Sequence, residues 1–216
     1  FGLRSASHLS VWKNETKLYL NALKINPSSS LANYNLGNIL KNEGKLKKAI
    51  YRYKAALEIE PLSMDIRNNL GVVLVETGNL TEALDNYRQV VKYNPNDANA
   101  HNNLGVVLDK LGKPEEALEQ YRQTLQLRPD YANAHNNMGL VLEEKGKLDD
   151  AVAHYQKAIQ LQPSDANAHN NLGIALSKQE KYEQAIKSFS RALRIRPDFA
   201  MAKKQLEMAK AKLKAR

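Results

Sequence analysis

The chain has 216 residues, 32 lysines and arginines against 23 acidic residues, and 43% hydrophobic residues at a mean hydropathy of −0.57. With no long apolar run it is expected to be a soluble all-α chain rather than a membrane span, and no signal peptide is visible. The absence of cysteine excludes disulfides and thiol chemistry and leaves the compartment open.

The chain begins at Phe1 instead of methionine, which suggests a processed product or, as the favoured expectation, an excised piece of a larger protein. Six of its seven prolines, Pro27, Pro61, Pro95, Pro129, Pro163 and Pro197, lie 34 residues apart, a fixed period that marks a repeat architecture. Residues 1–29 hold a partial N-terminal repeat, with Trp12, Leu18, Tyr19 and Ala22 ahead of Pro27. Five full repeats follow without a gap, 30–63, 64–97, 98–131, 132–165 and 166–199, and residues 200–216 are a C-terminal cap helix. In that cap Ala202, Leu206, Ala209 and Leu213 recur at helical spacing among solubilising lysines.

Within each repeat a first helix, A, carries its apolar set at the fourth, seventh, eighth and eleventh places, which fall in one arc at about 100° per residue. The eighth place is glycine throughout (Gly37, Gly71, Gly105, Gly139, Gly173). A turn follows, with glycine in four repeats and Glu180 in the fifth. The second helix, B, carries alanine at the twentieth place and an aromatic ring at the twenty-fourth: Tyr53, Tyr87, Tyr121, Tyr155 and Phe189. Small residues let the two backbones approach while the ring fills the remaining gap. Proline closes helix B, and Ser63, Asp97 or Asp165 is placed to cap the next helix A.

These aromatic, small and proline places resemble the tetratricopeptide repeat (TPR) family over about four fifths of the chain. The resemblance implies that helical pairs stack into a right-handed α-α superhelix whose concave face is lined by helix A. The string Val11-Trp12-Lys13-Asn14-Glu15, with Leu18 and Asn26-Pro27, resembles the junction of GT-C type membrane glycosyltransferases with C-terminal TPRs. That resemblance implies a tail attached to a membrane-embedded region; packing of Trp12 in the incomplete first pair is the plainer alternative.

The second, fifth, sixth, ninth, twelfth and thirteenth places of helix A point away from the buried arc. The sixth is asparagine five times: Asn35, Asn69, Asn103, Asn137 and Asn171. The fifth adds Asn68, Asn102, Asn136 and Asn170, and the second adds Asn99, Asn133 and Asn167. Asparagine is a mediocre helix former, so the excess calls for a cause. A carboxamide bonds both the N–H and the C=O of an extended peptide whatever its side chains. Aliphatic Val72, Val106, Leu140 and Ile174 at the ninth place offer apolar contacts between the rungs, while the first repeat departs with Tyr34 and Asn38. The arrangement resembles the asparagine ladder of O-GlcNAc transferase, which implies that the sixth-place asparagines grip a bound chain. The alternative is that the asparagines pair with one another between repeats. The groove lacks the lysine and arginine places of the chaperone-adaptor carboxylate clamp.

His101, His135 and His169 recur at the fourth place and are read as packing residues, because helices about 8–10 Å apart do not bring equivalent side chains onto one zinc. No metal and no cofactor is expected. Net charge is +6 over residues 1–60, −4 over 61–163 and +7 over 164–216, so the positive charge sits at the ends instead of tracking a phosphate backbone, and nucleic acid is not the expected partner. No phosphate loop or nucleophile–base pair is present, so no catalytic residue is named. Carboxylate pairs such as Glu115-Glu116, Glu143-Glu144 and Asp149-Asp150 are assigned to helix ends or exposed faces. The sequence thus predicts a scaffold binding a protein or peptide segment, with a structural spacer or self-association module as the rival reading.

Overall fold

The computed structural model describes residues 15–215. Among them are helices and turns and no strand, so the all-α class holds. After α1 (15–25) come α2 (Ser30–Asn42), α3 (Leu46–Ile59), α4 (Met64–Glu76), α5 (Leu80–Tyr93) and α6 (Ala98–Lys110). Then follow α7 (Pro114–Leu127), α8 (Ala132–Glu144), α9 (Leu148–Leu161), α10 (Ala166–Lys178), α11 (Tyr182–Ile195) and α12 (Ala200–Lys214). Trp12 and the junction string through Asn14 lie outside the described residues, as does His8.

The chain divides into two compact units, Phe1–Leu111 and Gly112–Arg216. In the first, α2 packs on α3, α3 on α4, α4 on α5 and α5 on α6. In the second, the same sequential packing runs from α7 to α12. Each helix A from α2 to α10 begins at the first residue of a 34-residue period and each helix B ends two residues before its proline.

The buried set of helix A is wider than the sequence arc. Besides the seventh, eighth and eleventh places, the third and tenth are buried in every repeat: Ala32 and Ile39, Ile66 and Val73, Ala100 and Val107, Ala134 and Val141, Ala168 and Ala175. A helix packed against its own helix B and also against its neighbours in the row needs two apolar stripes rather than one. The aromatic ring of helix B is fully buried, and Tyr53, Tyr87, Tyr155 and Phe189 lie against Gly37, Gly71, Gly139 and Gly173. A Cβ on Gly71 would lie 2.6 Å from Tyr87 Cζ, and one on Gly139 2.6 Å from Tyr155 Cε1. Only a residue without a side chain lets the ring reach this depth.

The fourth-place side chains do more than pack. Each one reaches back to the carbonyl of the proline that closes the preceding helix B. Arg67 donates from Nη2 to Pro61 O at 2.7 Å, and Asn33 Nδ2 donates to Pro27 O at 3.4 Å. The Nε2 atoms of His101, His135 and His169 meet Pro95 O, Pro129 O and Pro163 O at 3.0, 3.1 and 3.1 Å. A carbonyl left at a turn between packed helices needs a donor, so asparagine, arginine and histidine are interchangeable here.

Caps follow the sequence in part. Asp97 accepts from the N–H groups of Asn99 and Ala100, and Asp165 from that of Asn167. Ser63 occupies the N-cap of α4 without a side-chain bond, which corrects its assignment as a cap, whereas Ser29 accepts from Ala32 N. The A–B turns need a left-handed residue: Gly44, Gly78 and Gly146 have φ of 71°, 78° and 74°, and Glu180 takes the same conformation at 60°. On α12, Ala202 and Ala209 are buried, and charged Glu207 and Lys210 stand where other A helices carry glycine and leucine, consistent with a solubilising cap.

Candidate functional site

The site follows from which amide groups of helix A are engaged inside the protein and which are left toward solvent. In the N-terminal unit, the sixth-place Asn69 is closed off. Its Nδ2 donates to Tyr34 Oη at 2.9 Å and to Asp65 O at 3.1 Å, while its Oδ1 accepts from Lys41 Nζ at 3.1 Å. Both amide hydrogens are used, so Tyr34 and Lys41 of the divergent first repeat occupy this rung themselves. Asn103 is different: its Oδ1 accepts from Asn102 Nδ2 at 3.4 Å, and the side chain is half-buried. Asn35 is likewise half-buried on α2.

In the C-terminal unit, Asn170 Nδ2 donates to Asn171 Oδ1 at 3.4 Å, and Asn171 Nδ2 donates to Asn136 Oδ1 at 3.1 Å. The sixth-place amide is thereby held both by its own helix and by the preceding helix A, with one N–H and one lone pair to spare. Asn137 is half-buried on α8.

Burial departs from the sequence reading at two fifth-place residues. Asn102 and Asn170 are 6% and 3% exposed, and Asn68 and Asn136 are half-buried. Asn102 and Asn170 thus lie inside the protein, whereas Asn68 and Asn136 share the half-buried state of the sixth-place amides. Asn68 Nδ2 reaches Asp97 Oδ2 at 3.4 Å, and the Oδ1 atoms of Asn68 and Asn170 are buried without a partner. The second-place Asn99, Asn133 and Asn167 are exposed, and Asn167 Oδ1 accepts from Arg196 Nη2 at 2.7 Å. Among the ninth-place aliphatics, Val72, Val106 and Ile174 are half-buried and Leu140 is 37% exposed.

The twelfth place holds a feature the sequence reading missed. Glu143, assigned to a helix end or exposed face, has a side chain only 11% exposed. Its carboxylate accepts Tyr155 Oη at 2.9 Å and pairs with Lys178 Nζ at 2.9 Å. Burial first, and then the Glu143 charge, push the Tyr155 phenol far above its ordinary range, so it remains a neutral donor. The signal was available in Lys178, 35 residues after Glu143, at the thirteenth place of the next repeat. The pairs Glu115-Glu116 and Asp149-Asp150 do lie in the first turns of α7 and α9, as expected for carboxylates near a helix N-terminus. Among the described residues no helix is long and apolar enough to cross a membrane.

Comparison with known proteins bears on both fold and site. Family models described as TPR repeat match residues 37–78, 73–112 and 110–146, and models described as tetratricopeptide repeat match 18–51 and 130–198. Among solved structures, YrrB, described as a TPR protein with an unusual peptide-binding site, is 26% identical with a TM-score of 0.65. That alignment covers 85% of this chain and 95% of YrrB. The Cut9–Hcn1 hetero-tetramer of the APC/C gives a TM-score of 0.79 at 20% identity, covering 93% of this chain and 40% of that one. MamA from Desulfovibrio magneticus RS-1 gives 0.68 at 21% identity, covering 86% and 97%. A curated human relative, protein O-mannosyl-transferase TMTC2, is 37% identical over 54 residues, which are 25% of this chain and 6% of that protein.

Proposed function

Since the chain belongs to the tetratricopeptide repeat family, we propose that it is a protein-interaction scaffold whose helix-A asparagines hold the main chain of an extended peptide. The observation that carries this reading is Asn171, oriented by Asn136 and Asn170 and left with one donor and one acceptor. A peptide unit presents one C=O and one N–H, so it matches those two valences without reference to its side chains. Because the amide is already held by its neighbours, binding orders fewer rotamers than it would for a mobile side chain. The mutual pairing of asparagines, the rival cause for their abundance, here becomes the device that points the sixth-place amide.

The reading assigns the chain binding and no chemistry of its own. It rests on Asn103, Asn137 and Asn171, with Asn35 as a further rung; Asn69 contributes an acceptor at most. The description of YrrB as carrying a peptide-binding site supports a peptide ligand. Replacing Asn103, Asn137 and Asn171 together with alanine is expected to abolish capture of partners from lysate while leaving the helical melt nearly unchanged. Unchanged capture would sink the groove reading in favour of a spacer or self-association module.

A second reading concerns context. The 54-residue match to the human O-mannosyl-transferase supports this chain being the TPR part of a membrane glycosyltransferase. The full-length reading frame tests it: a multi-span region upstream is the expected finding, and its absence removes the proposal.

A further inference from the structure

The ladder reads main chain only, so on its own it lets a peptide slide by one residue at little cost. A register needs at least one side-chain pocket. The C-terminal unit has one between α10, α11 and α12, about 280 Å³ in volume. Its apolar lining comes from Ile174, Tyr182, Met208 and Ala209. Ile174 and Met208 are ninth-place residues of successive A helices, so the pocket continues the line of groove contacts. Met208 is half exposed, and methionine adapts its shape to an incoming aliphatic group. The volume falls below the roughly 300–1,000 Å³ of pockets that enclose a small molecule, so a single side chain is the fitting occupant.

The polar lining is basic. Lys178 and Lys212 both line the pocket, each at the thirteenth place of its helix. Lys178 is shared with Glu143, whereas Lys212 has no ion-pair partner among the described residues. The stretch 164–216, with 12 basic and 5 acidic residues, adds positive potential around it.

We propose that this pocket sets the register and sequence preference of the bound segment by taking an aliphatic side chain with an acidic residue next to it. The proposal rests on the peptide-binding reading above. Acidic–aliphatic segments are selected over basic ones by Lys212 and over polar ones by Ile174 and Met208.

The test uses four fluorescent decapeptides, acetylated and amidated, on a Gly-Ser background with Leu-Asp, Leu-Lys, Ser-Asp or Ser-Lys at the centre. Their Kd values for the intact chain are measured by anisotropy. Leu-Asp is expected to bind about tenfold more tightly than Ser-Asp, the scale of one partly buried aliphatic group, and about two- to fivefold more tightly than Leu-Lys, the scale of one exposed charge contact. Lys212→Glu is expected to reverse the Asp-over-Lys preference, and Met208→Ser to remove the Leu-over-Ser preference, with unchanged melts because both side chains are exposed. If all four peptides bind alike and binding still depends on Asn171, the pocket proposal falls and the groove reading stands. A preference that survives both substitutions also overturns it. If none of the peptides binds, both readings fall.

Discussion

The fourth place of helix A is filled differently in the second and fourth repeats, one in each unit. Around α4 and α5, Arg67 donates to Pro61 O and, through Nη1, to Asn86 Oδ1 at 3.3 Å. Around α8 and α9, His135 meets Pro129 O through Nε2, and its Nδ1 lies 3.1 Å from His154 Nδ1. Both pairs join the fourth place to the twenty-third and tie the proline turn to the helical pair beneath it. Because a carbonyl only accepts, His135 Nε2 carries its hydrogen, and His154 Nδ1 must then donate to the bare His135 Nδ1. The geometry asks for a donor at this place and not for a particular residue. A guanidinium supplies it at every working pH; an imidazolium still donates to the carbonyl, but the bond between the two histidines lasts only while His135 Nδ1 is bare.

The eighth place is where the two units should not differ. Gly71→Ala and Gly139→Ala each set a methyl group 2.6 Å from a fully buried tyrosine ring. Overpacking of this kind costs about 1–3 kcal/mol, and similar values are expected in the two units from denaturant melts of the intact chain. A large difference between them would show that the units tolerate ring displacement unequally and that the comparison must extend beyond the fourth place.

Acid should separate these two repeats. Burial lowers the pKa of both His135 and His154; Lys157 adds to this for His135 and the neighbouring His135 for His154, against the opposing Pro129 carbonyl and Asp150. With folded values below the unfolded value of about 6.5, the unfolded chain takes up protons first as pH falls. The stability of the neutral pair is therefore complete above that value and is lost below it. Hydrogen exchange is expected to quicken in α8 and α9 between about pH 7 and pH 5, with α4 and α5 much less affected. The lowered carboxyls of Glu115, Glu119 and Glu207 titrate below this window. Transplanting the other solution, His135→Arg with His154→Asn, should abolish the difference; if the double variant keeps the acid sensitivity, the histidine pair is not its source.

The helices were legible in the sequence because the period is rigid. Proline and glycine recur by backbone necessity, and the aromatic ring recurs because it fills the space the glycine leaves. The fourth place was only half legible: its burial followed from the wheel, but its bond to a carbonyl six residues earlier did not, since asparagine, arginine and histidine share no side-chain class. The buried Asn102 and Asn170 were misplaced for a related reason. A wheel drawn for one helix knows nothing of the helices packed on its other side, chiefly the preceding helix B, and the third and tenth places are buried there together with Asn102 and Asn170. The sixth place survived as a candidate because it sits at the margin of that second buried stripe. Glu143 was missed because its partners, Tyr155 and Lys178, come from two other helices.

The A–B turn offers the smallest effect and the finest comparison within the C-terminal unit. Gly146 and Glu180 occupy equivalent turns with φ of 74° and 60°. A residue with a Cβ pays about 1–2 kcal/mol to sit in the left-handed region, whereas glycine gives back roughly 0.5–1 kcal/mol through the greater freedom of the unfolded chain. Glu180→Gly is therefore expected to stabilise by about 0.5–1 kcal/mol, and Gly146→Glu to destabilise by a similar amount. For a chain of this length that is a shift of about 1–4 °C in the thermal midpoint. Matching, opposite shifts would mean that backbone conformation alone distinguishes the two turns. A Glu180→Gly variant that melts lower than the parent would show that the Glu180 side chain contributes more through its contacts than its backbone strain costs.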